Sequence, residues 1–201
     1  MRRAGQLLAL LALALASGCA RREPPGPHAA AQAPTPARWG YVGGRAVTRA
    51  DAEVKGTQDK AIYLNERYSM TAYRIPVANG TYVVRLHFAE TYEGIRDVGQ
   101  RVFSVAVEGK PALADLDVFR EAGKQTFTAF VKELQAEVND GELTIEFTPK
   151  VQNPMINGIE VQSAGTRRAG GTVLLINCGA TADYTAKDGR TWRKDQEYQA
   201  P

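Results

Sequence analysis

An all-β fold is predicted for the folded part of this chain, a sandwich of two antiparallel sheets of jelly-roll type. Three observations predict it. Segments with period-two alternation recur along the sequence, turn residues separate them at regular spacing, and no stretch has the apolar spacing of an amphipathic helix.

The elements follow in order. Residues 72–77 (AYRIPV) read as extended, and Ala78, Asn79 and Gly80 turn the chain into residues 81–88 (TYVVRLHF). There Val84, Leu86 and Phe88 alternate with Val83, Arg85 and His87, the period of a half-buried strand, so the two segments read as a hairpin. Residues 101–107 (RVFSVAV) alternate in the same way, and Glu108, Gly109 and Lys110 turn into a segment that passes Leu113, Leu116 and Val118. Residues 126–138 are mostly β-capable; Asn139, Asp140 and Gly141 then lead into residues 143–147 (LTIEF), and residues 156–161 (INGIEV) form another strand. Residues 174–179 (LLINCG) contain an apolar run suited to a buried strand.

Residues 1–18 do not belong to the domain. Arg2 and Arg3 give a basic start, residues 7–16 are an apolar run too short to span a membrane, and Ala16, Ser17 and Gly18 precede Cys19. This is the pattern of a secretory signal peptide, and small residues directly before a Cys resemble a bacterial lipobox. The expectation is an exported lipoprotein acylated on Cys19 (palmitate-type chains), anchored in the cell envelope, with Ala20 pointing to the outer membrane. The alternative is an ordinary signal peptide cut nearby. Two or three acyl chains anchor stably where one does not. Residues 19–37, rich in Pro and Ala, lack the apolar content for a core and read as a tether. Residues 38–201, about 160 of them, suffice for one domain with a sizeable core. The formal net charge of +3 includes Arg2, Arg3, Arg21 and Arg22, so the folded part is close to neutral and no nucleic-acid surface is expected.

With Cys19 acylated, Cys178 has no intramolecular disulfide partner. Its apolar neighbours read it as a small buried hydrophobe; the reactive-thiol reading lacks a neighbouring His or Lys to lower its pKa. Asp115 and Asp117 form a carboxylate pair that could suggest glycoside hydrolysis, against a turn role in which Asp117 bonds backbone amides. His28 and His87 form no zinc cluster, and neither Ser104 nor Ser163 sits in a nucleophile elbow. No enzymatic activity, metal or cofactor is expected.

Several segments resemble successive blocks of the malectin and malectin-like family: residues 39–44 (WGYVGG), 62–68 (IYLNERY), 77–90 (VANGTYVVRLHFAE), 101–103 (RVF), 140–147 (DGELTIEF) and 154–161 (PMINGIEV). In that family the chain opens with a strand similar to residues 176–179 (INCG), a turn similar to residues 188–192 (DGRTW), and then positions matching Asp195 and Tyr198. Here these blocks come last. The resemblance therefore implies a circularly permuted malectin-like sandwich, with residues 38–162 as the family's middle and end, residues 163–172 as a flexible connector, and residues 173–201 as its beginning. A truncated tandem copy and strand exchange with a neighbouring chain are the alternatives. Ends that lie close together are what make permutation feasible.

The resemblance also implies a sugar site. Sugar rings present C–H faces to aromatics and hydroxyls to polar side chains. The family's ligand-contacting aromatics match Tyr41, Tyr68 and Tyr92, while Glu93 and Gln152 stand where the animal protein has an aromatic and an acid, and both can hydrogen-bond a sugar. The expected function is non-catalytic binding of an oligosaccharide or polysaccharide, such as a glucan or an envelope glycan, by a membrane-anchored lipoprotein. The alternative is a structural or adaptor lipoprotein that uses the sandwich for protein contact.

Overall fold

The computed structural model describes residues 38–164 and 171–200. The expected signal peptide, acylation at Cys19 and tether, and residues 165–170 of the expected connector, lie outside the described residues.

Twelve strands form two sheets among the described residues: β1 Gly40–Thr48, β2 Asn65–Pro76, β3 Gly80–Phe88, β4 Val102–Val107, β5 Lys110–Asp117, β6 Phe130–Val138, β7 Glu142–Val151, β8 Met155–Ile156, β9 Gly158–Ser163, β10 Thr172–Asn177, β11 Tyr184–Thr185 and β12 Thr191–Lys194. One sheet has the order β1-β2-β7-β4-β5, with β8 also pairing with β2; the other has the order β11-β12-β10-β9-β3-β6. Pairing is antiparallel except between β10 and β12. The fold is the antiparallel sandwich that the alternation predicts.

The alternating positions meet in one core. Tyr73 and Ile75 of β2, Phe103 and Val105 of β4, and Leu143 and Ile145 of β7 pack with Val84, Leu86 and Phe88 of β3 and Ile159 and Val161 of β9. The rings of Phe88 and Phe103, from different sheets, are 6.2 Å apart. Burying such side chains contributes about 1.5–3 kcal/mol each. A second apolar cluster contains Val54, Ile62, Tyr63 and Trp192.

Helix is confined to a 3-10 turn at Lys60–Ile62 and a single turn, α1, at Val118–Glu121 among the described residues. Asp117 caps α1: one carboxylate oxygen accepts the Arg120 N–H at 3.0 Å and the other accepts the Gly99 N–H at 2.6 Å. That is the turn role, and Asp115 instead pairs with Lys150.

The C-terminal strands are built into this same domain. β10 pairs with β9 along Leu174–Val161, Leu175–Glu160 and Ile176–Ile159. Leu175 is buried in the second cluster and Ile176, with Cys178 just beyond the strand, in the main core, so the run is apolar toward both faces rather than alternating. Burial pushes the Cys178 thiol pKa well up, so it is inert rather than nucleophilic.

Polar contacts tie the segment down further. Asp195, buried near β2, accepts from Arg67 Nε at 2.5 Å, from the Gly179 N–H at 2.6 Å and from the Tyr73 hydroxyl at 3.1 Å. Gly179 has φ +84, and a Cβ there would run into the Glu66 carbonyl, so only glycine lets the chain cross β2 so closely. Elsewhere His87 stands between the Tyr63 hydroxyl at 2.8 Å and Glu160 at 3.1 Å, with Arg190 Nη1 donating to Glu160 at 2.8 Å. Burial alone would raise the Glu160 pKa, but the hydrogen bonds from His87 and Arg190 outweigh it and hold the carboxyl at about 2.

Candidate carbohydrate-binding cleft

At one end of the first sheet the strands and the loops that follow them enclose a cleft of about 320 Å³. Val47 of β1 and Arg49 just after it form one wall, and Glu66 and Tyr68 of β2 lie beside them. Tyr92, in the loop after β3, and Arg101, just before β4, contribute next. Gln152 and Asn153, in the loop after β7, complete the lining.

Buried charge holds these loops in place. Glu90 is fully buried, accepting from Arg101 Nε at 2.6 Å and from the Tyr92 N–H at 3.0 Å. Arg101 Nη1 also donates to the Asn153 carbonyl at 2.6 Å. One ion pair thus orders the two loops that carry Tyr92 and Asn153. Burial raises the Glu90 pKa even against the opposing pull of Arg101. Beneath the cleft the Thr91 hydroxyl donates to Glu66 at 2.6 Å while accepting from Arg49 Nε at 3.0 Å.

Tyr92 is 46% exposed, one of few large apolar side chains so exposed among the described residues. Its ring lies over Gly94, where a Cβ would sit inside contact distance of the ring carbons. Gly94 therefore lets the ring approach the backbone closely. An aromatic plate beside a second tyrosine, with amides and a guanidinium around them, suits a ring with apolar C–H faces and a belt of hydroxyls.

The structure brings Tyr68, Tyr92 and Gln152 into this one cleft. Glu93 lies outside it, in an adjoining depression that also contains Arg49 and Tyr92. Tyr41 is not in the cleft lining. It pairs with Tyr73 in the register of β1 with β2, whereas Tyr68 pairs with Arg45, and its ring carries the Arg67 guanidinium at 3.2 Å. Arg49, Glu66, Arg101 and Asn153 were not anticipated. The signal for the charged ones is their position beside apolar strand residues, which points to a buried partner.

Residues 34–164 match the family described as Malectin domain. The chain belongs to the malectin family. Malectin-B of Xenopus laevis is 31% identical over 109 residues, 50% of this chain and 38% of that protein. Human malectin is 30% identical over 109 residues, 50% of this chain and 36% of its own length. An Arabidopsis thaliana receptor-like protein kinase is 30% identical over 107 residues, 48% of this chain but 12% of the kinase. The matches thus span well under half of these relatives. Among solved structures, the extracellular domain of ANXUR1 from Arabidopsis thaliana has a TM-score of 0.53 at 19% identity, covering 60% of this chain and 39% of that one. The β-glucuronidase of Bacteroides uniformis has a TM-score of 0.56 at 24% identity, covering 62% of this chain and 14% of that enzyme. Both likenesses are of fold. Malectin domains are carbohydrate-binding and non-catalytic, and the enzyme likeness takes in only part of either chain.

Proposed function

We propose that this chain is a non-catalytic glycan-binding lipoprotein, exported and held on the bacterial cell envelope through Cys19, with the cleft between Tyr68 and Tyr92 as its sugar site. The observation that carries the reading is the exposed Tyr92 ring, held close against Gly94 within one cleft with Tyr68, Gln152 and Asn153. The site is preformed, because the Glu90–Arg101 pair fixes its loops before any ligand arrives. The anchor is supported by the basic start, short apolar run and small residues that precede Cys19. The displaced order is supported by the family match ending at residue 164, while residues 171–200 add three strands to the same domain.

The test is titration of residues 38–201 with neutral glucan oligosaccharides and peptidoglycan fragments by calorimetry or NMR. Kd values of roughly micromolar to millimolar are expected, the range of a weak preformed site. Losing one stacking ring costs about 1 kcal/mol, so Tyr68→Ala and Tyr92→Ala should each weaken binding about fivefold. Tyr41→Ala, outside the cleft, serves as the control. No shift with any glycan, or binding indifferent to both cleft tyrosines, would leave the adaptor reading as the better one.

For the anchor, Cys19→Ser should abolish incorporation of a radiolabelled fatty acid and release the protein from the membrane fraction. Labelling that persists in that variant refutes acylation at Cys19.

A further inference from the structure

We infer that the sugar site continues past Tyr92 into a second stacking subsite built on Phe127, so that the groove takes a linear, uncharged oligosaccharide longer than a disaccharide. This rests on the glycan reading of the first cleft. A second depression of about 860 Å³ shares Arg49 and Tyr92 with the first and is completed by the loop after β1, Glu93 and Phe127. Tyr92 is therefore the ridge between two adjoining hollows, available to a sugar on either side.

Phe127 is half-buried but belongs to neither apolar cluster, and it contributes to the lining of two depressions. Its φ is +51, in the left-handed region that a bulky residue seldom adopts and that persists only where its surroundings enforce it. Those surroundings are backbone bonds: the Phe127 N–H donates to the Glu90 carbonyl at 2.8 Å, and its own carbonyl accepts from the Lys55 N–H at 2.8 Å. Glu90 thus sets both rings, Tyr92 through its carboxylate and Phe127 through its carbonyl. Two more of the non-glycine residues with positive φ flank the first cleft, Gln152 in its lining and Ser69 directly after Tyr68.

The rim decides the charge of the occupant. Asp51, Glu53 and Glu93 line the second hollow with Arg49 as its one lining cation among the described residues; Arg49 is engaged by Thr91 and Glu66, and Glu53 is paired with Lys60, so Asp51 and Glu93 set the charge of the rim. Carboxylates accept hydrogen bonds from sugar hydroxyls and repel uronates, so neutral units fit here and acidic ones do not.

The experiment is a length series of neutral gluco- and manno-oligosaccharides, from disaccharide to hexasaccharide, titrated against residues 38–201. The parent protein should gain about fivefold in affinity between two and four sugars, the increment of one further stacked ring. Phe127→Gly, which accepts the positive φ without strain, is expected to abolish that gain while leaving disaccharide binding unchanged, which also shows that the variant is folded; Phe127→Tyr should keep it. A tetrasaccharide with uronates at its far end should gain nothing from its length. If disaccharides bind but the parent shows no gain with length, or if Phe127→Gly retains the gain, the second subsite is refuted while the first cleft stands. If no member of the series binds, both readings fall.

Discussion

A chain ending at Ala164 should lose cooperative unfolding and aggregate. β10 sits between β9 and β12, so its removal turns β9, whose Ile159 and Val161 are fully buried, into an open edge. Such an edge is a template for intermolecular pairing. The cut also removes Leu175, Ile176 and Trp192, each at most 3% exposed, and burying side chains of this kind contributes about 1.5–3 kcal/mol apiece. Arg67 loses its buried partner Asp195 as well. Together these are comparable with the whole stability of an ordinary domain, about 5–15 kcal/mol. Size-exclusion chromatography and urea titration followed by circular dichroism provide the check, and a monomeric truncated chain with a sharp transition would sink the expectation.

The same geometry makes the rearranged order testable. The Arg38 N–H donates to the Gln199 carbonyl at 3.0 Å, and the Ser163 N–H donates to the Gly171 carbonyl at 3.0 Å. Both junctions are thus short: placing residues 171–200 ahead of Arg38 through a brief linker, with the chain opened after Ala164, keeps every strand neighbour. That variant should fold as a monomer with a urea midpoint near the parent's. An insoluble product would count against the permuted reading.

Much of this fold was legible because the alternation is clean where one face meets the core. β3 reads directly from Val84, Leu86 and Phe88, and β10 from its unbroken apolar run. Two stretches were not legible. β1 holds Gly40, Gly43 and Gly44 and is largely exposed, so its Tyr and Val residues show no clean alternation; pairing with β2 on both sides of a bulge at Gly43 defines it. The start of β2 contains Glu66 and Arg67, which read as solvated but are 3% and 6% exposed. Their burial depends on Thr91 and Asp195, 25 and 128 residues away, a pairing that local pattern does not carry. The site divides in the same way. Tyr68, Tyr92 and Gln152 converge, whereas Glu93 moves to the neighbouring hollow and Tyr41 is placed further along β1, beneath Arg67.

Asp195→Ala should be among the most destabilising single substitutions in the domain, at about 3–5 kcal/mol, because it removes the anion from a buried site and leaves the cation behind. Asp195 reaches three partners from two separate parts of the chain: Arg67 and Tyr73 on β2, and the Gly179 backbone beyond β10. Burial pushes its pKa up despite those donors, so the carboxylate is held at a desolvation cost that only its partners offset. Replacing both ends of the pair, as in Arg67→Met with Asp195→Leu, takes away the stranded guanidinium and should recover part of the loss. It should not recover all, because the Gly179 N–H and the Tyr73 hydroxyl still lack an acceptor, a residual cost of about 1–3 kcal/mol for each left unsatisfied. Urea midpoints for the two single variants and the double variant form a cycle that separates the pair from its hydrogen bonds. A double variant as unstable as the two single losses summed would mean that Arg67 and Asp195 act independently, and a loss below about 1 kcal/mol in Asp195→Ala would mean that the C-terminal segment is held by apolar packing alone.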